Sequence, residues 1–288
     1  MGFNWVIDPY NRFGSPSAGA RATDGRTNLV LAAMVEVANL PTSAKRAADM
    51  VIVGDSRARG LTELRLGSSG ERSVLNLGVG GASFEEMISF LNDQAPRLTS
   101  VRLLIIGTPL ERLAADPRPD RCLEVKPIVA NPLRYLANAE MLKNSWALWW
   151  TPPASPGKAP REGRTAAEHE RVDKDVRSTW RRMYANFDKD RAAARVQMLR
   201  EAVKPFVARG VTVVFWSPPI REDISALMDK LDLQKERARL SQEIASFGTV
   251  VDMTDWDAVA GQKFTFKDPV HANGGSLILK ELQTARPR

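Results

Sequence analysis

Ser56, Asp268 and His271 are the side chains whose types and settings could together perform covalent chemistry. A serine hydroxyl attacks a carbonyl only when a base takes its proton, and imidazole is the side chain suited to that task near neutral pH. The chain holds two histidines, His169 and His271, so an imidazole-dependent step must use one of them. His169 lies in AAEHERVDKD, which reads as a solvated helix. His271 ends Asp268-Pro269-Val270-His271, where a three-residue spacing on a turn brings a carboxylate near the ring. A carboxylate there fixes the tautomer and stabilises the imidazolium. The competing reading is a surface helix cap, with Asp268 capping and His271 in solvent.

Ser56 ends Gly54-Asp55-Ser56, directly after the apolar run ADMVIV (48–53) and before RARGLTELRL (57–66), which can open a helix. A serine at that junction stands where a helix dipole favours developing negative charge. The plain alternative is that Ser56 is only an N-cap. A third feature is Asn76-Leu77-Gly78-Val79-Gly80-Gly81-Ala82-Ser83, a glycine-rich turn whose exposed N–H groups form an anion site. It suits an oxyanion hole, a phosphate cradle or a tight strand-to-helix turn. Arg57, beside the serine, is the candidate for holding an anionic substrate; for Arg57 and Arg59 the competing fate is a salt bridge to Asp55 or Glu63.

The elements that must position these residues follow from hydrophobic pattern. Apolar runs at 48–53, 73–78, 101–107, 210–219 and 248–253 are short, and most contain or are closed by a glycine, as buried parallel strands are. Helical periodicity fills 83–94, 188–208 and 221–246, and Ser83 with Glu86 has capping-box spacing. Alternation of strand and helix predicts a three-layer α/β/α sandwich with a parallel, flavodoxin-like sheet, whose ligands bind beyond the strands' carboxyl ends. Residues 1–47 read as an extended lead-in and a helix, and 48–288 as the α/β domain. A mostly helical insertion at about 112–187 carries Trp146, Trp149 and Trp150 and the Pro/Gly-rich stretch 151–163. Core packing of an amphipathic helix is the expected fate of those tryptophans, although three in five positions cannot all face inward.

Composition narrows the partners. A net charge of +7 invites an anionic one, yet the basic residues are interspersed with acids, as in 164–184, and no nucleic-acid recognition motif is present. The single cysteine excludes an internal disulfide, and no Cys/His cluster has metal-ligand spacing, so neither a metal nor a cofactor is expected. No stretch reaches the roughly 20 apolar residues of a membrane-spanning helix.

Taken together, Gly54-Asp55-Ser56, the glycine turn and Asp268-x-x-His271 resemble the SGNH (GDSL-like) hydrolase superfamily, in block order and strand-helix setting, along 48–110 and 210–285. The resemblance implies Ser56 as nucleophile, His271 as base, Asp268 as its orienting group, and an oxyanion hole from the Ser56 and Gly81 backbones. The family's third block usually offers an asparagine after the third strand, where this chain reads Gly107-Thr108-Pro109-Leu110-Glu111, leaving the Thr108 hydroxyl as the replacement donor. The lead-in NWVIDPYNRFG (4–14) is similar to segments that follow the membrane anchor in bacterial envelope members related to teichoic-acid D-alanyl-transfer and alginate O-acetylation proteins. That implies an esterase or O-acyltransferase acting on acylated polysaccharide or lipid, outside the cytoplasmic membrane, with an anchor absent from this chain and a membrane acyltransferase as partner. A cytoplasmic location stays open. The rival readings are a non-catalytic SGNH-like protein that binds glycan or assists assembly, and a nucleotide-binding domain using the 78–83 turn.

Overall fold

The computed structural model describes residues 30–31, 34–35, 48–61, 74–94, 96, 98–139, 142–143, 146, 166–254, 266–268, 270–272 and 275–284. The chain divides into two compact units, one of residues 1–42 with 120–164 and one of residues 43–119 with 165–288.

The larger unit is a parallel sheet covered on both faces. Its strands are β1 (Met50–Gly54), β2 (Val74–Gly78), β3 (Leu103–Gly107), β4 (Thr212–Ser217) and β5 (Thr249–Asp252). Every pairing is parallel, in the order β2-β1-β3-β4-β5, which is the flavodoxin-like arrangement. All five apolar runs of the sequence are strands. β1 and β3 are buried at every residue, which is why they read as unbroken apolar runs rather than as alternation.

Alternate side chains divide the core. Met50, Ile52, Leu103, Ile105, Val214 and Trp216 pack on one face with Ala58 and Leu61, and with Ile278 and Leu282 of the C-terminal helix. The intervening residues, including Val51, Leu104, Ile106 and Phe215, are buried on the other face. In chain order within this unit, α1 (Ser56–Arg59) follows β1, α2 (Phe84–Gln94) follows β2, and α3 (Leu110–Ala114) follows β3. Two short helices, α4 (Arg121–Ala130) and α5 (Pro132–Ala137), belong to the other unit. Then come α6 (Ala166–Ala185), α7 (Lys189–Val207), α8 (Glu222–Lys230), α9 (Gln234–Ala245) and, after a small hairpin, α10 (Gly275–Thr284).

Local chemistry sets the helix boundaries. Glu86 N–H donates to Ser83 Oγ at 3.2 Å while Ser83 N–H donates to Glu86 Oε2 at 2.9 Å, the reciprocal capping box expected at α2. The helical pattern over 221–246 is two helices, α8 and α9, because Asp232 between them has φ 52° and breaks the repeat. In the smaller unit, Asp120 caps α4 by accepting from Cys122 N–H, and Asn131 caps α5 by accepting from Leu133 and Arg134 N–H. Cys122, Val125, Val129 and Tyr135 are buried there, as are Val30, Leu31, Met34 and Val35.

Trp146 is 57% exposed, so the expectation of core packing fails for it. Trp149, Trp150, the lead-in 1–28 and the stretch 151–163 lie outside the described residues. No helix among the described residues is long and apolar enough to cross a membrane.

Candidate active site

Because the five strands are parallel, their carboxyl ends share one edge, and three of the sequence's candidate segments follow β1, β2 and β3 there. Ser56 opens α1, one residue beyond Gly54 and Asp55. The N-cap is Asp55, whose carboxylate accepts from Arg57 N–H at 3.0 Å, so the reading of Ser56 as a mere cap does not hold. Its hydroxyl is left for other work. His271 reaches it from the far end of the chain, with Nε2 2.7 Å from Ser56 Oγ across 215 residues of sequence.

His271 stands on a two-stranded antiparallel hairpin, β6 (Phe266–Asp268) and β7 (His271–Ala272). Asp268 and His271 are direct register partners, so the Asp-x-x-His segment is a hairpin turn rather than a helix cap. Val270 in the turn is buried, pinning the hairpin to the protein, and His271 is half-buried. The side chain of Asp268 lies outside the described residues.

The glycine turn after β2 is fixed to the serine's strand. Gly54 and Gly78 are register partners, and Val79 N–H donates to the Gly54 carbonyl at 3.0 Å. Ala82 N–H then closes the turn on the Val79 carbonyl at 3.0 Å. Gly81 has φ 68°, a conformation that side chains resist, so glycine is required at the residue expected to donate its backbone N–H. Ser56, first in its helix, has no intrahelical acceptor for its own N–H. Thr108 N–H is taken by the Trp216 carbonyl at 2.8 Å as part of the β3–β4 pairing, so only its hydroxyl remains as a donor.

α1 is a single turn, and its surroundings hold it. Asn76 in β2 donates from Nδ2 to the Ala58 carbonyl at 2.9 Å, satisfying an end of the helix, and accepts from Gly78 N–H at 2.9 Å. A Cβ at Gly78 would stand 2.3 Å from Arg59 N, so the strand end and the helix touch backbone to backbone.

Arg57 does not meet the expectation of a substrate contact. Its side chain is 4% exposed, and it bonds the Asp55 carboxylate through Nε at 3.1 Å and Nη2 at 2.6 Å. Nη2 also reaches Glu111 Oε1 at 2.5 Å. A guanidinium matched by two buried carboxylates has little charge to offer an external anion, so the salt-bridge alternative is realised with Asp55 and, in addition, with Glu111; Glu63 lies outside the described residues. Arg112 Nε stands 3.3 Å from Asp55 Oδ2, so two cations face two carboxylates. Burial alone would raise the Asp55 pKa, but Arg57 and Arg112 hold its carboxyl well below the usual carboxylate range. The same carboxylates overcome burial at Arg57 and keep its charge fixed.

Sequence reasoning missed the cover over this cluster. Trp180 and Tyr184 of α6 are buried, with the Trp180 ring 5.2 Å from the Arg57 guanidinium carbon and edge-on to Tyr184. Their i,i+4 spacing was the available signal within a stretch otherwise read as a solvated face. Burial, reinforced by Glu111, pushes the Tyr184 phenol well above its ordinary pKa, so it stays neutral. Beside it a small cavity, lined by Arg57, Glu111, Tyr184 and Ser217 among others, has room for about one water molecule.

No family model matches the chain, and no curated protein sequence matches it. Among solved structures it is similar to a Streptococcus pneumonia protein described as a platelet activating factor, at 12% identity and a TM-score of 0.45, over 97% of this chain and 94% of that one. It is also similar to a Bacteroides fragilis protein described as an acylhydrolase, at 14% identity and a TM-score of 0.38, over 86% and 92%.

Proposed function

We propose that the protein is a serine-dependent esterase or O-acyltransferase of the SGNH type. One observation carries the reading: Nε2 of His271 lies 2.7 Å from Oγ of Ser56, within hydrogen-bond reach of the proton it would have to take. Ser56 Oγ attacks an ester carbonyl as its proton passes to His271 Nε2. The oxyanion of the tetrahedral intermediate accepts from the Ser56 and Gly81 backbone N–H groups, with the Thr108 hydroxyl as the third donor. On collapse the imidazolium returns the proton to the departing alcohol, leaving an acyl-Ser56. Water, or an acceptor hydroxyl deprotonated by the same imidazole, then attacks the acyl carbon and frees the serine. Asp268, the register partner of His271, is the residue assigned to orient the ring.

The substrates proposed are O-acyl groups on carbohydrate or lipid of the bacterial cell envelope, with a membrane acyltransferase as partner; both rest on the resemblance of residues 4–14 and of the three motif blocks. The deciding experiment uses a chromogenic acetyl ester and a fluorophosphonate probe. Wild-type protein turns over the ester and is labelled, and Ser56→Ala loses both. Equal turnover in Ser56→Ala, or no labelling of wild type, removes the serine mechanism.

A further inference from the structure

We infer that Arg57 is a positioning residue: gripped by Asp55 and Glu111, it clamps the one-turn helix that carries Ser56 and so sets Oγ against His271. The inference deepens the proposed function and rests on it for its catalytic consequence.

The helix cannot hold itself. Four residues make one turn, for which nucleation is unfavourable in isolation, so outside contacts decide where Ser56 stands. Its two sequence neighbours are both buried and tied to each other, while Ser56 is half-buried and reaches outward to His271. Asp55 accepts from the Arg57 backbone, from Arg57 Nε and Nη2, and from Arg112, so its carboxylate is bonded on both oxygens. Arg57 then crosses to Glu111, 54 residues along the chain, in the helix that follows the neighbouring strand β3.

That partner is itself held. Nη1 of Arg195, from α7, donates to the carbonyls of Arg112 and Leu113 at 3.0 and 3.2 Å and also to that of Ala115. These are the open carbonyls at the end of α3, where a cation is favoured. Arg195 Nη2 in turn bonds Glu85 at the start of α2. The line Glu85–Arg195–α3–Glu111–Arg57–Asp55 therefore joins the first turn of α2, after the glycine loop, to the turn bearing the nucleophile.

Why charges should do this follows from what they provide. A buried ion cluster sacrifices hydration, and apolar packing of equal volume often gives as much stability. What packing does not give is direction. The planar guanidinium offers donors at fixed angles and can bridge two carboxylates at once, which an ammonium cannot do with the same geometry. In this chain the segment after β3, where the SGNH resemblance expects a side chain for the oxyanion, also sends Glu111 back to Arg57.

The test reads the Ser56–His271 contact directly. With His169→Gln as background, one imidazole remains, and its nitrogen shifts are followed by NMR in ¹⁵N-histidine-labelled protein, with Ser56→Ala as the reference for a lost bond. Arg57→Lys keeps the charge and loses the fork; Glu111→Gln keeps the shape and loses the charge, and it supplies the readout if Arg57→Lys does not fold. The expected result is a folded variant whose His271 Nε2 shift moves toward the Ser56→Ala value. Its kcat falls roughly tenfold to hundredfold, as misplacement by about 1 Å does, with KM within about twofold. A folded variant with the wild-type His271 shift overturns the clamp. Absence of turnover and labelling in wild type counts against the esterase reading alone, since the imidazole shift judges the clamp without it.

Discussion

At the scale of single residues, the protein places an ionised carboxylate one position before its candidate nucleophile and keeps it ionised by surrounding it with arginines. The consequence for stability has a definite sign. The Asp55 carboxyl is held below its ordinary range in the folded state, so its contribution is complete above about pH 4, the unfolded value, and is lost as pH falls below it. Asp55→Asn leaves Arg57 buried with one of its two carboxylates neutralised while Glu111 still faces it, and we expect a loss of about 3 kcal/mol near neutral pH, the low end for a broken buried pair. Urea unfolding from pH 7 down to pH 3 checks both statements. Wild type should lose more stability across the acid range than Asp55→Asn does, and parallel curves would show that Asp55 is not the group responsible. His271→Ala carries a second expectation at this scale: turnover falls by at least about two to four orders of magnitude with the fold intact, measured as kcat on the ester that wild type uses.

Part of this residue-scale chemistry was legible in the sequence. Ser56 and His271 could be paired in advance because a chain with two histidines leaves few choices, and because each flanks a short, recognisable segment. Arg57 was equivocal for a physical reason: a sequence shows the carboxylates near an arginine in number, such as Asp55 and Glu63, but not one brought beside it by a strand pairing. Glu111 comes from the element after β3, which is adjacent to β1 only once the sheet exists.

Elements turn these residues into a site through close approach. β2 ends on Gly78, and a Cβ there would meet the α1 backbone, at 2.3 Å from Arg59 N and 2.7 Å from its Cα. The obstacle is main chain rather than a flexible side chain, so α1 must move to admit even a methyl group. Gly78→Ala should therefore cost about 1–3 kcal/mol as an overpacked contact and also displace Ser56. Thermal melts report the first effect and fluorophosphonate labelling the second; a lower melting temperature with an unchanged labelling rate would separate the helix position from reactivity. The central strands β1 and β3 were readable because each is buried at every residue and so carries its signal within five residues. The 221–246 break was not, since Leu231 and Leu233 maintain an apolar rhythm through a turn made by Asp232. α6 hid its role in a similar way: its many charges dominate the pattern, and two aromatic residues on one stripe decide what it covers.

For the sheet unit as a whole, the site exists only where the first strand and the last helix share a core. α10 begins three residues after Ala272 of the hairpin and buries Ile278 and Leu282 against Met50 and Ile52 of β1, the strand that delivers Ser56. The imidazole is thus positioned by packing on one particular face of the sheet. A matched pair of deletions separates that effect from stability in general. Leu282 in α10 and Leu240 in α9 are both buried, and α9 packs on β5 and against α7, away from the Leu282 cluster. Leu282→Ala and Leu240→Ala should each cost about 2–5 kcal/mol, the range for a leucine truncated in a core. Measured at a temperature where both variants remain folded, kcat should fall in Leu282→Ala, because the hairpin's anchor has loosened. It should stay near wild type in Leu240→Ala, whose cavity opens away from that anchor. Equal losses of kcat in the two would mean that His271 is held by its own hairpin contacts and not by the shared core beneath β1 and α10.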